Sequence, residues 1–240
     1  MSLTIIKREL QSYFSTWNGY VIAALALLLE GLLFNAFAIG NSAKFSADVM
    51  ADFFYLASGV TMVASLFLAI RLFAEEKSSG TLILLYTSSL SEREIVYGKF
   101  ISALVYLAVM HLLSLYMPIL ILVHGKISFG HLAVGYLALS LIGAATIAMT
   151  LLCSLLAPNQ LLAGISAAGL LVFMLILWLL AKIVEEPFTS LFAYLAFHNE
   201  HFTTLSRGVL HSKHVIYYFS VCIFFLECSV RALQIKRWQG

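Results

Sequence analysis

Charge is the scarcest thing in this chain. Only 11% of its 240 residues are Asp, Glu, Lys or Arg, against about a quarter in an ordinary soluble domain, and 62% are hydrophobic. A soluble fold of this length has too little interior to hide that much apolar surface. A water-soluble globule is thereby excluded, and an integral membrane protein is implied. The formal net charge of +2 is too small to point to a nucleic-acid partner. Cysteine is sparse as well. Cys153, Cys222 and Cys228 all lie in apolar runs, and the last two sit on one predicted helix, out of each other's reach. No disulfide framework follows, and the three read as small buried side chains. A P-loop is also missing, since it needs G-x-x-x-x-G-K-[ST]. Gly98-Lys99 is followed by Phe100 and preceded five back by Arg93; Gly125-Lys126 is followed by Ile127 and preceded five back by Leu120. ATP hydrolysis by that route is excluded.

What the chain has in abundance is apolar runs. Six are long enough to cross a bilayer, at 20–39, 53–73, 98–123, 131–156, 160–183 and 214–233. Backbone groups in lipid must satisfy one another, so all six are expected to be helices. The first run is long enough to span and no Ala-x-Ala-like cleavage site follows it, so it reads as a span and not as a leader. Ahead of it, Leu3, Ile6, Leu10, Tyr13, Phe14 and Trp17 recur at helical spacing opposite Lys7, Arg8, Gln11 and Ser12. That pattern fits an amphipathic helix lying in the membrane interface, with an ordinary helix packed on a soluble partner as the alternative. Six spans put both termini on one side. If that side is cytoplasmic, nine basic residues face inward (Lys7, Arg8, Arg71, Lys77, Arg93, Lys99, Arg231, Lys236, Arg237) and five outward (Lys44, Lys126, Lys182, Arg207, Lys213). The positive-inside bias favours that orientation. Ala157-Pro158-Asn159-Gln160 then forms a tight inner turn between the fourth and fifth spans.

The scarce charge is gathered in one place. RLFAEEKSSGTLILLYTSSLSEREIVYGK, residues 71–99, holds eight of the 26 charged residues. The second span ends near Arg71, Glu75-Glu76-Lys77 stands in water, and Ser78-Ser79-Gly80 breaks the helix. Thr81 to Tyr86 is then an apolar run too short to cross. Ser91-x-x-Glu94 has the form of a capping box that starts the next helix. Two helix extensions thus bracket a short, half-apolar helix on the cytoplasmic face. Composition alone leaves two readings: a docking surface, or a solvated loop with stop-transfer charges.

The order of these residues resembles a family signature. Arg71, Glu75, Glu76, Ser79, Gly80, Thr81, Leu82, Leu85, Thr87, Ser88, Ser91, Glu94, Ile95, Val96, Gly98 and Lys99 are similar to the cytoplasmic motif of type-2 ABC transporter permease subunits. KRELQSYFSTWNGYV resembles their elbow segment. FHNEHFTTLSRGVLHSKHVIYYF is similar to the external segment and last span of the gliding-motility and nitrous-oxide-reductase copper-maturation permeases. The chain departs from the family at Ser89, often proline, and at Trp17-Asn18, often Ser-Pro. The resemblance implies one all-α polytopic permease domain over 1–240 with six transmembrane helices. It places an interfacial elbow at 1–18, a cytoplasmic coupling region at 74–97 and an external gate segment at 184–213. It further implies a coupling helix seated in a separate ATPase subunit that holds the ATP and magnesium; the permease has no cofactor of its own. Glu75, Glu76, Lys77, Ser79, Gly80, Thr81, Leu82 and Leu85 would make that contact, the three charged residues by polar contacts and the Leu82–Tyr86 run by filling the partner's groove.

Polar groups inside the spans carry a cost and a meaning. Glu30, with Asn35 five residues on, reads either as a carboxyl on a substrate path or subunit interface, or as a protonated side chain hydrogen-bonded between helices. Glu227 and Arg231, four apart, are expected to pair, and His111 to be a packing group. In the external segment Phe188, Phe192, Phe197 and Phe202 are gate candidates. His198-x-x-His201, with His211 and His214, raises a metal site as a lesser alternative; none is assigned, and no residue is catalytic. The reading is therefore the permease subunit of an exporter-type ABC transporter in the inner or plasma membrane. It would work with an ABC ATPase, a second permease subunit and membrane lipids. The alternatives are a membrane scaffold of an ATPase-driven envelope machine and a membrane-embedded metal-dependent enzyme.

Overall fold

The computed structural model describes residues 2–40, 44–87 and 90–239, and among them every regular element is helical. In chain order these are α1 (Ser2–Ser15), α2 (Trp17–Leu33, running on as a π-helical turn Phe34–Ile39), α3 (Ser46–Ser78), α4 (Leu82–Tyr86), α5 (Glu92–Ser114) and α6 (Tyr116–His124). They continue as α7 (Phe129–Leu156), α8 (Gln160–Ala181), α9 (Phe188–Leu195), α10 (Asn199–Ser206) and α11 (Ser212–Gln239). Among the described residues six helical units are long and apolar enough to cross a membrane, with α5 and α6 acting as one. The six expected spans are all there, several of them longer than hydropathy alone marks. α3 has 33 residues, roughly 50 Å of helix at 1.5 Å per residue, so it overshoots a hydrocarbon core of about 30 Å.

The third span is broken, and one residue explains the break. Pro118 has no N–H for the Ser114 carbonyl and its ring crowds that carbonyl. α5 accordingly stops at Ser114, and α6 restarts after Leu115. The chain at Ala157–Asn159 makes the expected tight turn, and the Asn159 side chain caps α8 by accepting from the Leu162 amide at 2.9 Å.

α3 and α7 form the spine. In α7, 83% of the spanning window is buried and in α3 67%, against 22% in both α2 and α8. Two glycines of α7 let its neighbours close in, Phe54 of α3 at one and Leu107 of α5 at the other. A Cβ on Gly135 would lie 2.1 Å from the Phe54 ring, and one on Gly143 would lie 2.4 Å from Leu107. Around the spine, α5 and α11 pack on one flank and α2 and α8 on the other, while α1 lies across α5. α9 and α10 close the end of the bundle away from α4. There the Phe197 amide reaches the Met174 carbonyl, and His131 on α7 donates to the Ser206 carbonyl at 2.7 Å.

Candidate functional site

The site begins where α3 runs out. Ser79 ends the helix, and Gly80 turns the chain at φ 72°, a left-handed conformation that side chains resist. α4 follows at once, a little over one turn long. Beyond it, the Ser91 hydroxyl accepts from the Glu94 amide while Glu94 accepts from the Ser91 amide at 3.1 Å. The anticipated capping box is therefore present and fixes the start of α5.

The charges around this turn are largely spent inside the protein. Lys99 is fully buried and donates to Glu9 at 2.9 Å and to the Leu72 carbonyl at 2.6 Å; it lies 3.0 Å from Glu76. Arg8 closes the cluster, 2.8 Å from Glu9 and 2.6 Å from Glu76. Two cations face two carboxylates, so α1, α3 and α5 are joined by a neutral knot. Burial alone would raise the Glu9 carboxyl, but the Lys99 charge and the bonds from Arg8 and Lys99 outweigh it and hold Glu9 below its usual value. Beside the knot, Tyr13 donates to the Leu68 carbonyl at 2.8 Å and stacks on Tyr106 at 4.9 Å. Arg71 lies over the Tyr13 ring, bonds Ser12 and pairs with Glu75 at 3.2 Å.

The eight sequence-selected residues thus come together but do not face one way. Glu76 is locked in the knot, and Lys77 donates to the Ala157 carbonyl at 2.9 Å, tying α3 to the α7–α8 turn. Leu82 and Leu85 are buried against the core, so the expectation that the whole Leu82–Tyr86 run fills a partner's groove is revised. Among the described side chains of this turn, Ile83, Ser78, Ser79 and Thr81 face outward, with Glu75 half-exposed. Ser79 and Thr81 share a hydroxyl contact of 2.9 Å that shapes the turn.

Several residues that brace the site escaped sequence reasoning. α1 packs through Ile5, Glu9 and Tyr13, spaced by four, while Leu3, Phe14 and Trp17 from the apolar face stay exposed. The exposed apolar side suits lipid; the signal for the packed side was a carboxylate at helical spacing between two apolar residues. Ser154 accepts from the Phe73 and Ala74 amides at 3.1 and 3.0 Å and pins the last turns of α3 to α7. Glu227 does not pair with Arg231. It meets Arg93 at 3.3 Å and Tyr97 at 3.2 Å on α5, because α5 and α11 lie side by side and bring those groups closer than the next helical turn.

At the other end, Phe197 and Phe202 are buried to 0% exposure, Phe192 is half-buried and Phe188 is exposed. The four do not form one face. His198 contacts Ser58 at 2.6 Å, whereas His201 turns to His214, so the His-x-x-His pair is split. No cluster of three or more metal-ligating side chains occurs among the described residues. Glu30 is buried and Asn35 exposed, so they do not share a site; among the described residues Glu30 makes no hydrogen bond or ion pair, unlike the interhelical bond that one reading gave it.

The cytoplasmic-motif end of the bundle is thus a left-handed glycine turn, a one-turn helix and two helix extensions braced by a buried knot. The sequence profile of the ABC-2 family transporter proteins matches residues 22–224. The chain belongs to the ABC-2 transporter family. It is the membrane subunit of such a transporter, a multi-pass and non-catalytic permease, and permeases of this family generally pair with an ABC ATPase. No curated protein matches the chain at a significant level.

Proposed function

We propose that this ABC-2 permease is an exporter subunit working as one of a pair, with α4 as the helix through which an ATPase drives it. Residues 1–18, 74–97 and 184–213 then act as elbow, coupling region and outer gate, and both termini are cytoplasmic. One observation carries the reading. α4 stands on two long helix extensions that are cross-braced by Lys99, Glu76, Glu9 and Arg8, so a push on α4 moves α1, α3 and α5 together instead of bending a loop.

The contact to the ATPase is carried by the outward residues of the turn, Ile83, Thr81, Ser79 and Glu75, while Glu76, Lys77, Leu82 and Leu85 set the angle of α4 from within. Gly80 supplies the tight turn. The second permease subunit is proposed against α2 and α8, the two spans least buried by their own chain. Glu30 is buried inside the subunit, where an unpaired carboxyl suits a path through the bundle better than its outer face.

The test is to purify the tagged chain gently from its native membrane and assay bound ATPase. Ile83→Arg and Gly80→Trp should each remove the ATPase and its activity while the permease stays folded. A chain that is isolated alone as wild type, or variants that keep the ATPase, would overturn the coupling role of α4. Single cysteines at 83 and 210, labelled from each side, test the orientation.

A further inference from the structure

The three segments of the cap over the gate end meet at one side chain. His201 on α10, fully buried, bonds the Tyr194 carbonyl of α9 through Nε2 at 2.8 Å, and its Nδ1 lies 2.9 Å from the Nδ1 of His214 on α11. Its ring stacks on Tyr217 at 3.8 Å between centroids, and Tyr217 in turn donates to the Leu195 carbonyl at 2.9 Å. A carbonyl can only accept, so Nε2 carries the hydrogen of neutral His201 and Nδ1 offers its lone pair. The Nδ1 hydrogen of His214 fills that lone pair.

This arrangement counts protons. One extra proton can sit on the far nitrogen of His214 and leave the Nδ1–H···Nδ1 bond in place. A second would have to sit on His201 Nδ1, where His214 already points a hydrogen. The His201 ring cannot turn away without giving up Tyr194 and the Tyr217 stack. We propose that His201 and His214 form a proton-operated latch: the cap stays shut while the pair holds at most one extra proton and is released when both imidazoles are charged.

The surroundings set the balance. Glu200 and Lys213, beside the pair, lie 3.6 Å apart and largely offset each other. His211, whose ring is 6.0 Å from that of His214, adds no negative charge. Tyr194 and Tyr218 meet the His201 ring edge-on and are neutral. From the bundle side His131 is engaged with Ser206, and His198 with Ser58 beside Tyr55. Burial holds the His201 imidazole below its usual value. Closure is therefore fully stable above the ordinary imidazole value of about 6.5 and is lost as pH falls below it. The latch depends on the packing of the cap, whatever passes beneath it.

Hydrogen–deuterium exchange of residues 194–214, on the full chain in lipid nanodiscs from pH 8 to 4.5 with labelling times scaled to intrinsic exchange, tests it. Protection in wild type should fall at least tenfold per pH unit below about 6.5, since opening takes up at least one proton. His214→Asn should stay protected to pH 4.5, because its amide donates to His201 and can turn its oxygen toward a protonated ring. His198→Gln and His131→Asn should keep the wild-type loss. A flat wild-type profile, the same loss in His214→Asn, or its disappearance in His198→Gln or His131→Asn would overturn the latch. If His214→Asn is unprotected already at pH 8, the wild-type slope and its survival in the other two variants decide the matter.

Discussion

Lys99 has no exposed surface and two carboxylates within 3.0 Å. A lysine so placed is stable only while its partners stay, since removing one member strands the opposite charges in a poorly solvating site. Lys99→Met should cost about 3 kcal/mol and lower the unfolding temperature in detergent, with Glu9→Gln added to it recovering part of the loss. The same knot gives a pH signature. Glu9 has its folded value depressed below the ordinary 4.5, so its contribution is present above that pH and is lost as pH falls through the lower folded value. Unfolding temperatures from pH 7 to 3.5 should drop at the acid end in wild type and drop less in Glu9→Gln. Lys99 was visible in the sequence as a motif residue, but its partner lies 90 positions away. No spacing rule connects residues that far apart, so the knot was not legible.

At the scale of elements, α4 is defined by what precedes and follows it. Gly80 turns the chain, the capping box restarts it, and two leucines anchor it, leaving Ile83 64% exposed. Ile83→Arg should therefore leave the unfolding temperature unchanged while ATPase co-purification falls at least tenfold. A variant that unfolds would show that Ile83 packs inside the permease instead. The turn on the far side of α3 offers a calibration: Asn159→Ala removes the α8 cap and should cost about 1 kcal/mol by denaturant or heat. The turns and the capping box were legible, because each is a local pattern with a local cause; the cap that Asn159 provides was seen only in the structure. The break at Leu115 was not anticipated, although Pro118 is in plain view, because a proline inside an apolar run does not lower hydropathy and the run reads as continuous.

The whole molecule has an uneven face. α7 is enclosed by its own chain, while α2 and α8 bury only 22% of their spanning windows. Lipid tails cover apolar side chains as well as a partner does, so exposure alone commits to nothing in a bilayer and a cross-link has to decide. Ile165→Cys, at 59% exposure on α8, should cross-link to a second permease subunit in native membranes. A monomeric product under conditions that cross-link a control pair would place the second subunit elsewhere. Six spans and an all-helical domain were readable from apolar run length, since each backbone must close its own hydrogen bonds in lipid. Which of the six would be central was not, because the mean hydropathies of α3 and α7, 2.0 and 2.1, fall inside the range of 1.6 to 2.4 set by the other spans.

The sequence by itself determined the membrane class, the number of spans, the place of the charged turn and the family motif, because each depends on residues near one another in the chain. Only the tertiary structure decided which charges face outward. Glu76 and Lys77 look like contact residues along the chain, yet Glu76 meets Lys99, Glu9 and Arg8, and Lys77 meets the Ala157 carbonyl. In a low-dielectric bundle a charge goes to its partner before it goes to a surface, and only packing says where that partner is.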